Sequence, residues 1–489
     1  MAGMARCRHD GGMSIALPGL PEVKPNVIWF MVDQMRAQAM SLVGDPNVRT
    51  PNLDRLARDG FWFRRAVSGF PLCCPARGSF LTGLYPHRCV PGHQYPLPDG
   101  MPTLAHAFTG AGYHTAWFGK WHLDGHHEGP MPERAAWHVV PRERRGGFAT
   151  WIGYENNNAQ WDSWVHGHDH TGEVAMRRLP GHETDALTDM LLAEIARVRG
   201  EPFFACVSVQ PPHDPYGAPA RWMERHPPAG VTLRPNVPPI PDLQEAARRS
   251  LAGYYALIEQ IDHNVGRLLD RLAELGLDDH TYIVFVSDHG DNHGSHGHDA
   301  KMTPLEESIR VPLMIWGGSR WGYQRGMAID EPFNHVDLAP TTLGLCGIAP
   351  PVSMQGFDYG RLARVSTWQE RNAILAAAPR EAYLQCVVPT QHGPSVDLPW
   401  RGITTRDGWK YVALEGQPWL LYDLNRDPFE MRNLAQHAHA RVRRRELNDV
   451  LRGWIERTGD RFELPDFDAE GRPQRTLALQ RQWPAPPGR

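Results

Sequence analysis

Four short apolar runs constrain the fold of this 489-residue chain more than any other feature of its sequence. They occupy residues 27–32, 115–118, 202–209 and 282–286. Each is too short for a helix and rich in β-branched or aromatic residues, which is typical of a strand buried on both faces. Helical patterns lie between them at 184–198 and 243–275. This alternation predicts an α/β fold with a mostly parallel central sheet that is sandwiched by helices.

Composition excludes several classes of protein. With 41% apolar and 22% charged residues, the chain is neither disordered nor fibrous. A net charge of -4 gives no reason to expect nucleic acid as a partner. The apolar runs are far shorter than the ~20 residues of a membrane span. Seven cysteines without a CxxC pair predict neither a zinc ribbon nor a disulfide framework.

The pattern along the chain predicts three parts. Residues 1–24 are expected to form a flexible leader, and they contain no apolar segment of signal-peptide length, which favours a cytoplasmic protein. Residues 25–365 form the main α/β domain. Residues 366–489 form a smaller antiparallel-sheet subdomain, with strands expected at 409–412 and 419–422 and an extended polar tail from Pro465.

Chemically active side chains follow each predicted strand. They are Asp33 and Gln34, Lys120 and His122, His213, and Asp288 and His289. Parallel sheets bind ligands at the carboxyl ends of their strands, so these residues are candidates for a site around a divalent cation and an anionic substrate. Each residue alone could equally be a turn or cap residue. Carboxylate and amide oxygens suit Ca²⁺ best, and an imidazole ligand leaves Mn²⁺ or Zn²⁺ open.

Residues 71–83 (PLCCPARGSFLTG) carry a second signal. Pro75 stands where a helix can begin, so Cys73 would lie at a helix N-terminus, where backbone N–H groups favour an anion. The alternative is a pair of buried cysteines ahead of an ordinary helix. Arg77, four residues after Cys73, favours the functional interpretation.

The motif of Cys73, Pro75 and Arg77, with Gly78-Ser79-Phe80-Leu81-Thr82-Gly83 after it, resembles the C-x-P-x-R signature of type I sulfatases in the alkaline phosphatase superfamily. The resemblance covers roughly residues 24–435. Further blocks occur in family order at 25–27 (PNV), 50–57 (TPNLDRLA), 119–123 (GKWHL), 287–291 (SDHGD), Lys301, 306–312 (EESIRVP), 336–341 (VDLAPT) and 421–428 (LYDLNRDP).

This resemblance implies a sulfuric ester hydrolase. Cys73, and not Cys74, would be oxidised to Cα-formylglycine by a formylglycine-generating enzyme, and the hydrate would be the nucleophile. The implied metal ligands are Asp33, Gln34, Cys73 in its hydrated form, Asp288 and His289. Ca²⁺ is the expected ion, with Mn²⁺ or Zn²⁺ as alternatives.

The resemblance also implies roles around the substrate. Arg77 would hold the nucleophile, and Lys120 and Lys301 would neutralise the sulfuryl oxygens. His213 would protonate the leaving oxygen, and His122 would take the proton from the second hydroxyl when sulfate is expelled.

Two positions depart from the commonest sulfatase pattern. Many sulfatases have Asp where this chain has Gln34, and Asn where it has His289. The Gln/His version resembles phosphonate monoester hydrolases and choline-sulfatase-like members, so a phosphonate monoester or phosphodiester hydrolase is the alternative function. A non-catalytic metal- or anion-binding protein is the second alternative, if Cys73 is not converted.

The sequence says less about the substrate than about the fold or the reaction. Residues 151–170 (WIGYENNNAQWDSWVHGHDH) combine aromatic, amide and imidazole groups. They would form either a solvent-facing loop or a wall of the substrate pocket, and the second favours a carbohydrate or another small organic sulfate ester. A homo-oligomer is left open.

Overall fold

The computed structural model describes residues 24–127, 136–317, 326–390 and 398–472. The predicted leader, apart from Lys24, and the end of the predicted tail lie outside the described residues. The strands within them are β1 (Asn26–Asp33), β2 (Phe61–Phe63), β3 (Ala66–Val67), β4 (His114–Lys120), β5 (Thr150–Tyr154), β6 (Trp164–Asp169), β7 (Gly172–Arg178), β8 (Phe203–Pro212), β9 (Thr281–Ser287), β10 (Leu313–Gly317), β11 (Met327–Ile329), β12 (Phe333–Asn334), β13 (Glu381–Cys386), β14 (Trp400–Thr405), β15 (Trp409–Leu414) and β16 (Gln417–Asp423).

The α-helices of the same residues connect and cover these strands. They are α1 (Pro51–Asp59), α2 (Cys73–Thr82), α3 (Leu104–Gly110), α4 (Glu183–Arg197), α5 (Ala220–Met223), α6 (Pro241–Glu274), α7 (Glu306–Ile309), α8 (Leu338–Leu345), α9 (Trp368–Ala377) and α10 (Arg441–Thr458). The two helices predicted from periodicity are α4 and α6. The longer one starts with Pro241 at its first turn and ends just before Gly276, whose φ of +66° provides a left-handed C-terminal turn.

Ten strands form the main sheet, in the order β11-β2-β10-β9-β1-β8-β4-β5-β6-β7. The five central strands, from β9 to β5, are parallel. Antiparallel pairing occurs on either side of them, where β10 pairs with β9 and β2, and β6 pairs with β5 and β7. The four predicted strands are β1, β4, β8 and β9, and they are neighbours in the parallel centre. The predicted fold class is therefore confirmed, with a mixed rather than uniform sheet.

Alternation along β1 shows how the sheet is sandwiched. Ile28, Phe30 and Val32 pack on one face, in a core shared with α1, α4 and α6. Val27, Trp29 and Met31 pack on the other face, in a core shared with α2, α3 and α8. Because the sheet is buried on both faces at β1, successive residues from Val27 to Val32 are all apolar.

The C-terminal sheet is antiparallel, in the order β13-β14-β15-β16. Its two predicted strands lie in β15 and β16. One face packs against α10, with Tyr383 and Ile403 in the same core as Leu447 and Leu451. The other face packs against the main domain in a core that includes Leu72, Met302, Leu384, Trp400 and Val412. The boundary at residue 365 stays a prediction.

Of the two alternatives for residues 151–170, the solvent-facing loop is wrong for much of the segment, and the wall of a substrate pocket stays a prediction. The segment contains β5 and β6, which extend the main sheet beyond β4. Only the polar stretch between these strands connects them as a loop. His166 and His168 are buried within β6, where Nε2 of His166 accepts from the backbone N–H of Val140 and Nε2 of His168 donates to the carbonyl of Phe148. These backbone contacts stabilise imidazoles in a strand that looks polar by sequence.

Candidate active site

The sheet topology gathers the residues that follow the four predicted strands. Asp33 is the last residue of β1 and Lys120 the last residue of β4. His213 directly follows β8, and Asp288 directly follows β9. Because these strands are parallel neighbours, their carboxyl ends meet at one edge of the sheet.

Helix α2 brings Cys73 and Arg77 to the same edge. Cys73 is its first residue, and Arg77 lies about one turn later. The Arg77 guanidinium donates to Oδ2 of Asp33 (3.2 Å) and Oδ2 of Asp288 (3.1 Å). Its Nη1 donates to Oγ of Ser208 (2.9 Å) and to the carbonyl of Lys120 (3.0 Å). Arg77 is 1% exposed, so its five-donor fork fixes two buried carboxylates relative to each other.

The Cys73 side chain lies at the centre of this group. Its Sγ is 3.2 Å from Nε2 of His289 and 3.7 Å from Oδ1 of Asp33. Nζ of Lys301 lies 3.4 Å from the same sulfur, and Nζ of Lys120 lies 3.9 Å from it. Burial, reinforced by the Asp33 carboxylate, raises the pKa of the Cys73 thiol to about 11. As an unmodified thiol it is therefore protonated at neutral pH.

Four buried residues form a candidate metal centre. One ligand atom from each of Asp33, Cys73, Asp288 and His289 lies within 4.8 Å of those of the other three. Nδ1 of His289 donates to the carbonyl of Gly290 (2.9 Å), so its Nε2 lone pair faces the cluster. Burial opposes ionisation of Asp33, but the cations Lys120 and Arg77 outweigh it and hold its pKa well below the usual range. Ionised carboxylates and an oriented imidazole fit a divalent cation.

Gln34 lies at the edge of this centre. Its Oε1 accepts from Nζ of Lys301 (2.8 Å), and its Nε2 donates to Oδ2 of Asp291 (2.5 Å). The same Asp291 oxygen accepts from the hydroxyl of Tyr216 (2.7 Å). The Gln34 backbone is left-handed, with φ of +71°, and its N–H donates to Oδ1 of Asp288. The side-chain amide oxygen of Gln34 is thus hydrogen-bonded to the Lys301 ammonium.

The predicted substrate-binding cations sit beside the predicted proton donor. Nζ of Lys120 donates to Oδ2 of Asp33 (2.6 Å). Nζ of Lys301 lies 2.8 Å from Nε2 of His213, whose Nδ1 donates to the carbonyl of Asp214 (2.9 Å). Burial lowers the pKa of His213, and the Lys301 charge lowers it further. The site is therefore rich in cations and suited to an anion.

His122 faces a different set of neighbours. It is buried, with a left-handed φ of +58°, and groups with Cys74 and His93. Burial, and then the Lys120 charge, lowers the pKa of His122 well below its usual value. The imidazole is therefore neutral at neutral pH.

Several supporting residues were not predicted from the sequence. Ser208 holds Arg77, Asp291 holds Gln34, and Nε2 of Gln160 donates to the carbonyl of His213 (2.5 Å). Ser208 had one usable signal, because it is a polar residue inside the apolar run at 202–209. Asp291 lies in the block at 287–291 and Gln160 in the segment at 151–170, but neither residue was singled out there.

Comparison with known proteins identifies the family. Residues 25–348 match the family model described as Sulfatase, and residues 294–456 match the model described as N-sulphoglucosamine sulphohydrolase, C-terminal. An ulvan-active sulfatase from Formosa agariphila is 33% identical over 91% of this chain and 83% of its own length. A choline-sulfatase from Rhizobium meliloti is 30% identical over 86% of this chain and 84% of its own length.

Solved structures agree on the fold. An enzyme in complex with its substrate D-glucosamine-2-N,6-O-disulfate has a TM-score of 0.73 and 22% identity, covering 89% of this chain and 98% of its own. The phosphonate monoester hydrolase of Agrobacterium radiobacter has a TM-score of 0.69 and 24% identity, covering 89% and 96%. In the described part of the chain, no helix combines the length and apolar character needed to cross a membrane. The chain belongs to the sulfatase family and is an enzyme that hydrolyses sulfate esters.

Proposed function

We propose that this sulfatase acts through a Cα-formylglycine formed from Cys73 and a divalent cation held by Asp33, Gln34, Asp288 and His289. The observation that carries the proposal is the convergence of Cys73, Asp33, Asp288 and His289 within 4.8 Å. The raised pKa of Cys73 supports the modification, because a thiol with a pKa of about 11 is a poor nucleophile at neutral pH. A bound cation would supply the nucleophile by lowering the pKa of a hydroxyl group at position 73.

The protein's own side chains supply the remaining chemistry. Arg77 orients Asp33 and Asp288 and places positive charge beside position 73. Lys120 and Lys301 bind the sulfuryl oxygens and neutralise the charge that shifts onto them in the transition state. His213 gives a proton to the leaving oxygen, and His122 accepts one when sulfate is released.

Ca²⁺ is the ion we propose, with Mn²⁺ and Zn²⁺ as alternatives. Asp33 and Asp288 provide carboxylate oxygens, and Gln34 provides an amide oxygen once Lys301 binds substrate instead. The His289 nitrogen keeps the alternatives open. The ion content of purified protein, measured by elemental analysis, decides among them.

A sulfated carbohydrate is the proposed substrate class. The named relative is described as ulvan-active, and this chain has an exposed indole at Trp161, next in sequence to a residue that contacts His213. Trp161 is 48% exposed and is fixed by donating from Nε1 to the carbonyl of Gly217 (2.7 Å). Its neighbour Gln160 is bonded to His213. An exposed aromatic face with amide groups beside it suits a sugar ring.

Two measurements test the proposal. Mass spectrometry of the peptide that contains residue 73 should show a mass lower than that of the unmodified cysteine by about one water molecule. An unmodified thiol in fully active protein would refute the formylglycine mechanism. Relative turnover of an aryl sulfate and an aryl phosphonate by one preparation should favour the sulfate, and the reverse preference would favour the phosphonate hydrolase alternative. The cytoplasmic location and any homo-oligomer stay predictions.

A further inference from the structure

A second group of metal-ligating side chains lies beside the active site. It consists of Cys74, His93 and His122, whose ligand atoms all lie within 4.8 Å of one another. Sγ of Cys74 is 3.9 Å from Nδ1 of His93. The rings of His93 and His122 meet edge to face, with centroids 5.6 Å apart. The group thus consists of one sulfur and two imidazoles.

Three separate segments build this group. Cys74 follows Cys73 in α2, so its side chain points about 100° away around the helix. The backbone N–H of Gln94, a residue with a left-handed φ of +56°, donates to Sγ of Cys74 (3.4 Å) and ties the loop that carries His93 to the sulfur. His122 lies two residues after the end of β4. Cys74 and His122 are buried, whereas His93 is half-buried.

We propose that Cys74, His93 and His122 form a second metal site, selective for Zn²⁺ and distinct from the centre around Asp33. A thiolate with two imidazoles is a donor set that zinc prefers, and three protein ligands leave a fourth tetrahedral position for water. Ca²⁺ finds no oxygen ligand among these three side chains. Zinc binding would displace the thiol proton of Cys74 to solvent.

A third group of possible metal ligands, His296, Glu307 and Glu430, is a weaker candidate for a metal site. Its carboxylates already have cationic partners, since Glu430 pairs with the buried Lys410 and Glu307 pairs with Arg234. These ion pairs satisfy the charge that a metal would otherwise neutralise.

Zinc at this site would also inhibit turnover. Coordination would take the lone pair of His122, which we propose accepts a proton when sulfate is released. The inhibition rests on that proposed function, whereas the binding does not. The two can therefore fail separately.

Cobalt spectroscopy tests binding without turnover. In the full-length Cys73→Ala variant, Co²⁺ should produce the near-ultraviolet charge-transfer absorption of a thiolate ligand, because Cys74 keeps its thiol. Adding Cys74→Ser should abolish that absorption. The matched control adds Cys346→Ser instead, which removes a buried thiol at the end of α8 and should leave the absorption intact. Absorption that is missing in Cys73→Ala, or that survives Cys74→Ser, would overturn the site.

Inhibition kinetics provide the second test. In calcium-loaded enzyme, the single substitution His93→Asn should weaken zinc inhibition. Loss of an outer-shell partner costs a metal site ~10- to 100-fold in affinity. Loss of His93, a direct ligand in the proposed site, should cost at least as much. The His93→Asn and unmodified enzymes should have similar turnover without zinc. Equal inhibition of both enzymes would show that zinc acts elsewhere and would overturn inhibition through this site. A cobalt thiolate signal without any zinc inhibition would support the site and refute only the role of His122.

Discussion

Nζ of Lys301 lies 2.8 Å from Nε2 of His213 and donates a hydrogen bond to it. An ammonium group has no acceptor, so Nε2 must hold a lone pair, and the proton of His213 sits on Nδ1, which donates to Asp214. His213 is therefore neutral in this arrangement. To protonate a leaving group it must first gain a proton, and Lys301 opposes that gain.

This contact makes the pH profile sensitive to Lys301. A required imidazolium is lost as pH rises through the pKa of His213, which sets the alkaline limb of kcat/KM. Burial lowers that pKa, as do Lys301 and Lys120, while Asp214 and Asp33 raise it. Lys301→Ala should therefore move the alkaline limb to higher pH, while kcat falls about 10²- to 10³-fold from loss of transition-state charge stabilisation.

Asp214→Asn is the matched variant of opposite sign. Oδ1 of Asp214 lies 3.1 Å from Nδ1 of His213, so loss of its charge should move the same limb to lower pH. If neither variant moves the alkaline limb, His213 is not the proton donor.

Adjacent cysteines should respond very differently to substitution. Cys73→Ala should reduce turnover of an aryl sulfate by about 10³-fold or more, because the nucleophile is lost. Cys74→Ala should largely preserve turnover, since its sulfur faces His93 rather than Asp33. The opposite pattern would show that the nucleophile is misplaced by one residue.

Arg77 should be essential for stability as well as activity. Arg77→Met leaves the buried carboxylates of Asp33 and Asp288 without their shared partner, which should reduce the free energy of unfolding by about 3–5 kcal/mol. Ser208→Ala removes one neutral partner of Arg77 and should cost only about 0.5–1.5 kcal/mol. Urea denaturation in the presence of a chelator measures both changes. Comparable losses in the two variants would contradict the bridging role of Arg77.

Metal removal should inactivate the enzyme reversibly. Dialysis against a chelator should lower turnover and the melting temperature, because binding to the native state alone stabilises it, and Ca²⁺ should restore both. His289→Asn replaces a nitrogen ligand by an amide oxygen and should shift metal preference further toward Ca²⁺ and away from Zn²⁺. Undiminished turnover after exhaustive chelation would refute a catalytic metal.

Stability should decline in mild acid partly because of His335. Burial lowers the pKa of His335 to about 3, whereas an unfolded histidine titrates near 6.5. The unfolded chain therefore binds the extra proton between these values, and stability is lost as pH falls from about 6.5 toward 3, by up to about 1.4 kcal/mol per pH unit. His335→Gln should reduce the slope of unfolding free energy against pH, and an unchanged slope would contradict this assignment.

The central strands were predictable because burial on both faces leaves an apolar run in the sequence. β1, β4, β8 and β9 follow this rule. The peripheral strands β2 and β11 do not follow it, because each has only three residues. β6 was missed because backbone contacts buried inside the protein stabilise His166 and His168 there, so a buried strand has a polar sequence.

The site was predictable where it depends on strand ends and on the Cys73 motif. Parallel pairing and helix α2 bring those residues together whatever the loops do. The partners supplied by loops were not predictable. His93 reaches Cys74 only because the left-handed turn at Gln94 directs the loop toward it, and no periodicity encodes such a turn.

Packing of the C-terminal sheet would limit when the proposed oxidation of Cys73 can take place. Leu72, next to Cys73, shares its core with Trp400 and Val412, which leave the ribosome long after residue 73. Cys73 is only 2% exposed once folding is complete, so an enzyme that oxidises it must reach it earlier. Until β13 to β16 have been synthesised and docked, Leu72 lacks the apolar contacts that these strands provide. The proposed conversion of Cys73 would therefore fit best before the C-terminal sheet has docked.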